Sequence, residues 1–154
     1  MALNHTRQIQ PCEALSEKLA MVENQELRKA GLKVTLPRVK ILQMLDSSND
    51  RHMSAEDVYK ALMEAGEDVG LATVYRVLTQ FESAGLVVRH NFEGGHAVFE
   101  LADGDHHDHM VCPDSGEVIE FFDPEIERRQ REIVREHGFE LVDHNLVLYV
   151  KRKS

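Results

Sequence analysis

A chain of 154 residues suffices for one ordinary domain or two small ones, and 42% apolar with 29% charged residues is typical of a folded protein in water. The net charge of −9 argues against an evenly basic nucleic-acid-binding surface, and two cysteines a hundred residues apart exclude a disulfide framework. No apolar run approaches the ~20 residues of a membrane span and the first residues lack the pattern of a signal peptide, so we expect a cytoplasmic protein without a membrane partner.

The acidic residues are unevenly distributed along the chain. Residues 103–154 contain thirteen acidic and seven basic residues, whereas residues 21–102 contain twelve and nine. Within the latter block, the stretch between Leu27 and Leu45 contains five basic residues and no acidic one. This basic run is the local positive charge that phosphate binding requires. Residues 1–20 show little regular pattern, and we expect them to form a mobile N-terminal extension.

Four helices are predicted in the first half of the chain. The first ends at Gly31, and the second has Pro37 in its first turn, where the missing amide hydrogen costs nothing. Ser54 and Asp57 have the spacing of a capping box at the start of the third helix. The fourth helix is predicted over residues 70–84, where apolar residues recur at helical spacing.

After Gly85 the periodicity changes to that of strands. Apolar runs at residues 86–90 and 96–101 flank a loop with two glycines, which predicts a β-hairpin. Helices followed by a hairpin are the order of a winged helix-turn-helix, whose last helix enters the major groove of DNA. The outer side of that helix carries Thr73, Tyr75 and Arg76, which suit contacts with bases or phosphates; a solvated helix face is the alternative.

Five consecutive residues, Asp105-His106-His107-Asp108-His109, combine three imidazoles with two carboxylates. Both groups are common ligands of divalent transition metals, and core packing does not explain such a cluster. A solvated His-rich loop is the alternative. If the cluster begins a strand, alternate side chains lie on opposite faces. The pattern then predicts two metal sites on one strand, with His107 and His109 on one face and His106 and Asp108 on the other.

Residues 102–104 are small and polar and predict a hinge between two domains, one at residues 21–101 and one at residues 105–154. The helices and single hairpin of the first domain and the mixed pattern of the second predict the α+β class. The histidine cluster lies at the start of the second domain. We therefore expect an acidic, metal-binding domain attached to a domain with one basic end.

The second domain is predicted as strand, strand, helix and strand. After the histidine strand come a turn at residues 113–116, a strand at 117–122 and a helix at Pro124–Glu136. One long strand over 139–150, broken by the polar residues 143–145, ends the domain. A lone domain of about 50 residues is marginally stable. Residues 146–150 are apolar on both faces, so we predict that one face packs against a second copy. A homodimer also suits a winged helix that reads a two-fold symmetric site.

Several segments that occur in order between Met21 and Lys153 carry a family resemblance. They are Leu36-Pro37-Arg38-Val39, Leu71-Ala72-Thr73-Val74-Tyr75-Arg76-Val77-Leu78, Phe81-Glu82-Ser83-Ala84-Gly85-Leu86 and His106-His107-Asp108-His109-Met110-Val111-Cys112. On these segments the chain resembles the ferric uptake regulator family of bacterial repressors, above all its iron-responsive members. The resemblance implies an N-terminal winged helix-turn-helix DNA-binding domain followed by a small α/β dimerisation domain with a three-stranded sheet.

The resemblance also implies two metal sites. The ligands of the first, a regulatory site between the domains, are His52, Glu100, His107, His109 and Glu120. The ligands of the second, which lies within the dimerisation domain, are His106, Asp108, Glu127 and His144. For DNA contacts the resemblance points to Lys33, Arg38, Thr73, Tyr75 and Arg76.

The implied function is repression: loaded with Fe(II), the dimer binds A·T-rich palindromic operator DNA and controls iron-uptake genes. Fe(II) is the expected co-repressor and Zn(II) is expected in one or both sites. Mn(II) or Co(II) can substitute, because nitrogen and oxygen ligands do not select among these metals. Further assembly of dimers on DNA is left open. So are a zinc-, manganese- or peroxide-responsive member of the family and, outside it, a metal-storage protein.

One departure from the family pattern concerns cysteine. Many members hold a structural zinc ion with four cysteines, two of them in a C-x-x-C after the histidine strand. Here Cys112 is followed by Ser115 at the second position, so we expect no four-cysteine zinc site. A metal-dependent hydrolase is also disfavoured, because no H-E-x-x-H motif occurs in the sequence.

Overall fold

The computed structural model describes residues 21–93, 95–102 and 104–154. The predicted N-terminal extension lies outside the described residues. The chain divides into two compact units. The first extends to Arg89 and includes Val98–Ala102, and the second contains His90–Ala97 and the residues after Ala102. The domain boundaries predicted from the sequence, at residues 101 and 105, stay a prediction.

Four helices build the first unit. They are α1 (residues 21–29 of the described part), α2 (Leu36–Ser47), α3 (Ala55–Glu64) and α4 (Leu71–Ser83). After α1, the amide of Leu32 donates to the carbonyl of Leu27, and Gly31 supplies the positive φ of 77° that this stop requires. Thr35 occupies the position before α2, but its side chain makes no capping hydrogen bond.

The capping box predicted at the start of α3 is confirmed. The amide of Asp57 donates to the Ser54 hydroxyl oxygen at 3.1 Å, and the amide of Ser54 donates to the Asp57 carboxylate at 3.0 Å. Two amides that the helix cannot satisfy internally are thereby paired.

Removal of this cap is expected to destabilise the protein measurably. Ser54→Ala should lower the free energy of unfolding by about 1 kcal/mol, because the Asp57 amide loses its acceptor. Ser47→Ala is the matched control, since its hydroxyl only donates to the Gln43 carbonyl within α2. Chemical denaturation of both variants is the measurement, and equal losses would contradict the capping argument.

A short sheet completes the first unit, with strand order β1-β3-β2. Its strands are β1 (Met53–Ser54), β2 (Val87–His90) and β3 (Val98–Leu101). β1 pairs antiparallel with β3, with Met53 opposite Phe99. The sequence had predicted the hairpin strands but not β1. Between helices and sheet lies the core, in which Leu27, Ile41, Val58, Leu62, Val74, Leu78 and Phe81 have no exposed surface.

The second unit contains a three-stranded sheet, as predicted, with strand order β5-β4-β6. Its elements are β4 (Asp108–Cys112), β5 (Glu117–Phe121), α5 (Pro124–Glu136) and β6 (Val147–Tyr149). β4 and β5 are antiparallel neighbours joined by a turn at Gly116 (φ 73°), and β6 runs parallel to β4. The helix at Pro124–Glu136 and the α+β class are confirmed.

The prediction of one long strand over residues 139–150 is wrong. Only Val147–Tyr149 is a strand, and residues 139–146 are not. The ladder with β4 extends only from the carbonyl of Leu146 to the amide of Val150. Phe139 and Val142, which suggested a strand by their apolar character, are 74% and 95% exposed. In the described part of the chain, no helix is both long and apolar enough to span a bilayer.

Candidate metal centres and nucleic-acid surface

One candidate metal centre lies entirely within the second unit. Its four residues come from separate segments: His106 just before β4, Asp108 at the start of β4, Glu127 in the first turn of α5, and His144 before β6. One nitrogen or oxygen atom from each lies within 4.8 Å of the others. The Nε2 atoms of His106 and His144 are 2.9 Å apart, and the Nε2 atom of His144 is 3.0 Å from Glu127 Oε1. All four side chains converge on one point.

The burial of the two carboxylates indicates a cation at this point. Asp108 is 1% exposed and Glu127 is 4% exposed. Among the described residues, neither Asp108 carboxylate oxygen has a hydrogen-bond partner. The Nη2 atom of Arg131 is 3.6 Å from Glu127 Oε2. Two buried negative charges are costly without a compensating positive charge, and two imidazoles with two carboxylates are a donor set that fits a divalent transition metal.

A second group of candidate ligands lies in the first unit. The Nε2 atom of His52 is 2.6 Å from Glu100 Oε2, and both side chains are buried. The register of the sheet explains the contact. Because Met53 lies opposite Phe99 on antiparallel strands, the preceding residue His52 comes opposite the following residue Glu100. These are two of the five residues expected at the regulatory site.

The other three residues expected at the regulatory site lie in the second unit. His109 is 2% exposed and pairs across the β4–β5 ladder with Glu120. The Nε2 atom of His107 is 3.7 Å from Glu120 Oε1, and the rings of His107 and His109 have centroids 4.9 Å apart. These three side chains therefore form one group around the beginning of β4. That this group and the His52–Glu100 pair hold one ion together stays a prediction.

His90 was not among the ligands expected from the sequence. It ends β2, is 8% exposed, and its ring centroid lies 4.6 Å from that of His109 within the second unit. It also stacks on Phe92 at 5.3 Å with nearly parallel planes. The sequence offered only a histidine at the end of an apolar run, a pattern that does not distinguish a ligand neighbour from an ordinary strand end.

The candidate nucleic-acid surface lies on α4 and the segment before α2. Tyr75 is 45% exposed, Arg76 and Lys33 are exposed, and Thr73 is half-buried. Arg38 is half-buried and already bonded within the protein. Its Nε and Nη2 atoms donate to the side-chain oxygen of Gln80 at 3.3 and 3.0 Å, and its Nη1 atom donates to the carbonyl of Lys33 at 2.7 Å.

Tyr75 also has a partner within the first unit. Its hydroxyl donates a hydrogen bond to the carboxylate of Glu56 in the first turn of α3. This bond to a carboxylate raises the pKa of Tyr75 above its ordinary value. The hydroxyl therefore remains protonated and donates to Glu56, while the side chain is 45% exposed.

Cys112 closes β4 and is 5% exposed. Ser115 lies at the position where many members of the family carry a second cysteine. Its hydroxyl and its backbone amide, hydrogen-bonded to sulfur, lower the pKa of the Cys112 thiol. In this chain Cys112 thus packs as part of the strand with a serine for its neighbour.

Comparison with known proteins identifies the family. The model of the ferric uptake regulator family matches residues 29–149. The ferric uptake regulation protein of Pseudomonas aeruginosa is 87% identical to this chain over 134 residues, which cover 87% of this chain and 100% of that protein. The chain belongs to the ferric uptake regulator family. It is therefore a transcription regulator and not an enzyme.

Solved structures of the family support the same fold. The structure of the ferric uptake regulator from Pseudomonas aeruginosa with manganese has a TM-score of 0.78 and 85% identity, covering 87% of this chain and 100% of that one. The Vibrio cholerae ferric uptake regulator, whose structure reveals a rearrangement of its DNA-binding domains, has a TM-score of 0.79 and 58% identity. That match covers 84% of this chain and 98% of the other. An N-terminal DNA-binding domain and a C-terminal dimerisation domain are the family architecture.

Proposed function

We propose that this chain is a metal-dependent repressor that binds A·T-rich palindromic operator DNA as a homodimer when loaded with Fe(II), and so controls iron-uptake genes. The observation that carries the proposal is the presence, in one chain, of an exposed Tyr75–Arg76 surface on a helix of the winged-helix unit and of a metal-ligand set with two buried carboxylates in the other unit. A storage protein has use for the ligand set but not for that helix surface.

The ligands support a divalent metal without selecting one. His106, Asp108, Glu127 and His144 would hold an ion within the dimerisation domain, where it would neutralise the two buried carboxylates. All four are nitrogen or oxygen donors, which accept Fe(II), Zn(II), Mn(II) and Co(II). We propose Fe(II) as the physiological co-repressor because relatives that are 87% and 84% identical to this chain are named ferric uptake regulation proteins. Zn(II) is proposed in one or both sites, since it generally binds more tightly than Fe(II).

Exposed apolar surface on the second unit supports a homodimer. Among the described residues of this unit, the buried apolar core consists of Phe92, Val111 and Cys112. Seven large apolar side chains of this unit are exposed, namely Ile119, Phe122, Ile133, Phe139, Val142, Leu148 and Tyr149. A soluble monomer rarely exposes so much apolar surface in one small unit. A second copy would cover it, and two-fold symmetry would place two recognition helices for a palindrome.

Operator binding by anisotropy at fixed salt tests the proposal, because phosphate contacts make affinity salt-dependent. Metal-loaded protein should bind an A·T-rich palindromic duplex more tightly than chelated protein does. Arg76→Ala should weaken that binding by roughly 5- to 150-fold, the cost of losing one base-contacting arginine. Arg135→Ala, which removes an exposed arginine from α5, is the control and should bind as the wild type does. If the metal-loaded protein does not bind operator DNA, the result would instead indicate a metal-storage protein.

A further inference from the structure

The contact between Tyr75 and Glu56 constrains an exposed side chain on α4, the helix proposed to contact DNA. The tyrosine is 45% exposed, so its ring would otherwise move among rotamers at the surface. Its hydroxyl instead donates to the carboxylate of Glu56 on the neighbouring helix α3. Glu56 is half-buried and lies in the first turn of α3, where the helix dipole favours a negative charge. The negative charge of the acceptor is thus favoured at this position.

This contact determines which part of the tyrosine is offered to DNA. A free hydroxyl could donate to any backbone phosphate, and such a contact carries no sequence information. With the hydroxyl held by Glu56, the ring remains for apolar contact, and the methyl group of thymine is the apolar feature of the major groove. Contact with the thymine methyl group favours a matching sequence over arbitrary DNA.

We propose that Glu56 is a positioning residue that holds Tyr75 for base contact and thereby sets the discrimination between operator and other DNA. The inference rests on the proposed DNA-binding function. It concerns the ratio of two affinities, operator over non-operator, and not DNA binding as such. Loss of folding alone would lower both affinities together and would leave their ratio unchanged.

The test measures that ratio for the full-length Mn(II)-loaded protein with two duplexes, an A·T-rich palindrome and a scrambled duplex of the same composition. Glu56→Ala and Tyr75→Phe are each expected to lower the ratio about tenfold, the size of one hydrogen bond to a charged group. The double variant should fall no further, because both changes remove the same contact. Glu56→Gln keeps an acceptor oxygen and should restore most of the ratio. Glu64→Ala, an equal loss of charge at the exposed end of α3, is the control and should leave it unchanged.

The outcomes separate this inference from the proposed function. If the wild type prefers the palindrome while Glu56→Ala keeps that preference, as the Glu64→Ala control should, the carboxylate does not set the ratio and the positioning role is wrong. If Tyr75→Phe lowers the ratio while Glu56→Ala raises it, the hydroxyl itself contacts DNA and the inference is overturned. A wild type without any preference for the palindrome would reject the proposed function together with the inference. Thermal unfolding of each variant verifies that the compared proteins are folded.

Discussion

Asp108→Asn is expected to raise the stability of the metal-free protein and to reduce the additional stability that bound metal confers. Asp108 is 1% exposed, and its carboxylate lies within 4.8 Å of that of Glu127. Two unit charges at that distance repel by roughly 3 kcal/mol at an effective dielectric constant of 20. Asparagine has nearly the same shape without the charge, so the chelated variant should gain about 1–3 kcal/mol by the same estimate.

With metal present the same substitution removes a charged ligand. Loss of a residue that hydrogen-bonds to a metal ligand typically weakens metal binding 10- to 100-fold. Loss of a direct ligand should weaken it at least as much. At saturating metal, a hundredfold loss of affinity lowers the stabilisation by about 2.7 kcal/mol. For a chain of this size, the metal-induced rise in Tm should therefore be about 5–10 °C smaller than in the wild type. Thermal unfolding in chelator and in Zn(II) or Mn(II) is the measurement.

A second variant separates charge from ligation. His144→Ala removes a ligand without removing negative charge, so it should reduce the metal-induced rise in Tm without raising the Tm of the metal-free protein. We also expect it to lower stability more than it alters the metal response of operator binding, because its centre lies within one unit. His96→Ala, which removes an exposed imidazole, is the control. A metal-induced rise in Tm as large in Asp108→Asn as in the wild type would show that Asp108 does not bind the cation.

The helices of this chain could be predicted because their signals are local. The capping pair Ser54–Asp57 and the glycines after the helices act within a few residues, and apolar periodicity covers whole helices. β1 was missed because a strand of two residues has no periodicity and lies directly before a helix cap. The long last strand was overpredicted because Phe139 and Val142 are apolar but exposed. In the sequence, exposed apolar residues give the same signal as the apolar residues of a core strand.

The candidate metal centres show a similar division. The cluster at residues 105–109 was evident because its ligands are consecutive, and alternation separated its members into two groups. His106 and His107 precede the strand, which begins at Asp108. The alternation of side chains along a strand therefore explains only in part why these two histidines belong to different groups. Glu127 and His144 are distant in the sequence, and only the family resemblance suggested them. His90 was missed because its neighbour His109 is brought close by tertiary folding alone.

His109→Ala is expected to abolish the metal dependence of operator affinity while leaving the metal-free affinity near that of the wild type. His109 is 2% exposed and lies opposite Glu120, in the group proposed to regulate. Couplings between two ligands of one protein are typically 5- to 150-fold in affinity, and by linkage DNA should tighten metal binding by the same factor. Because a buried ring is removed, Glu120→Gln serves as a second, nearly isosteric variant and should also lose the response.

A double variant tests whether the two halves of the regulatory site act on one ion. His52 belongs to the other unit, where it contacts Glu100. If one ion is shared, His52→Ala alone should lose the response, and the combination with His109→Ala should lose no more, because the first change already releases the ion. Losses that multiply would instead show two independent ions, and a fully retained response in both single variants would place the sensor elsewhere. His144→Ala, measured in the same titration with Fe(II) or Mn(II), should keep most of the metal dependence of operator affinity. A metal ion changes DNA affinity only if it binds the DNA-binding conformation more tightly than the other conformation.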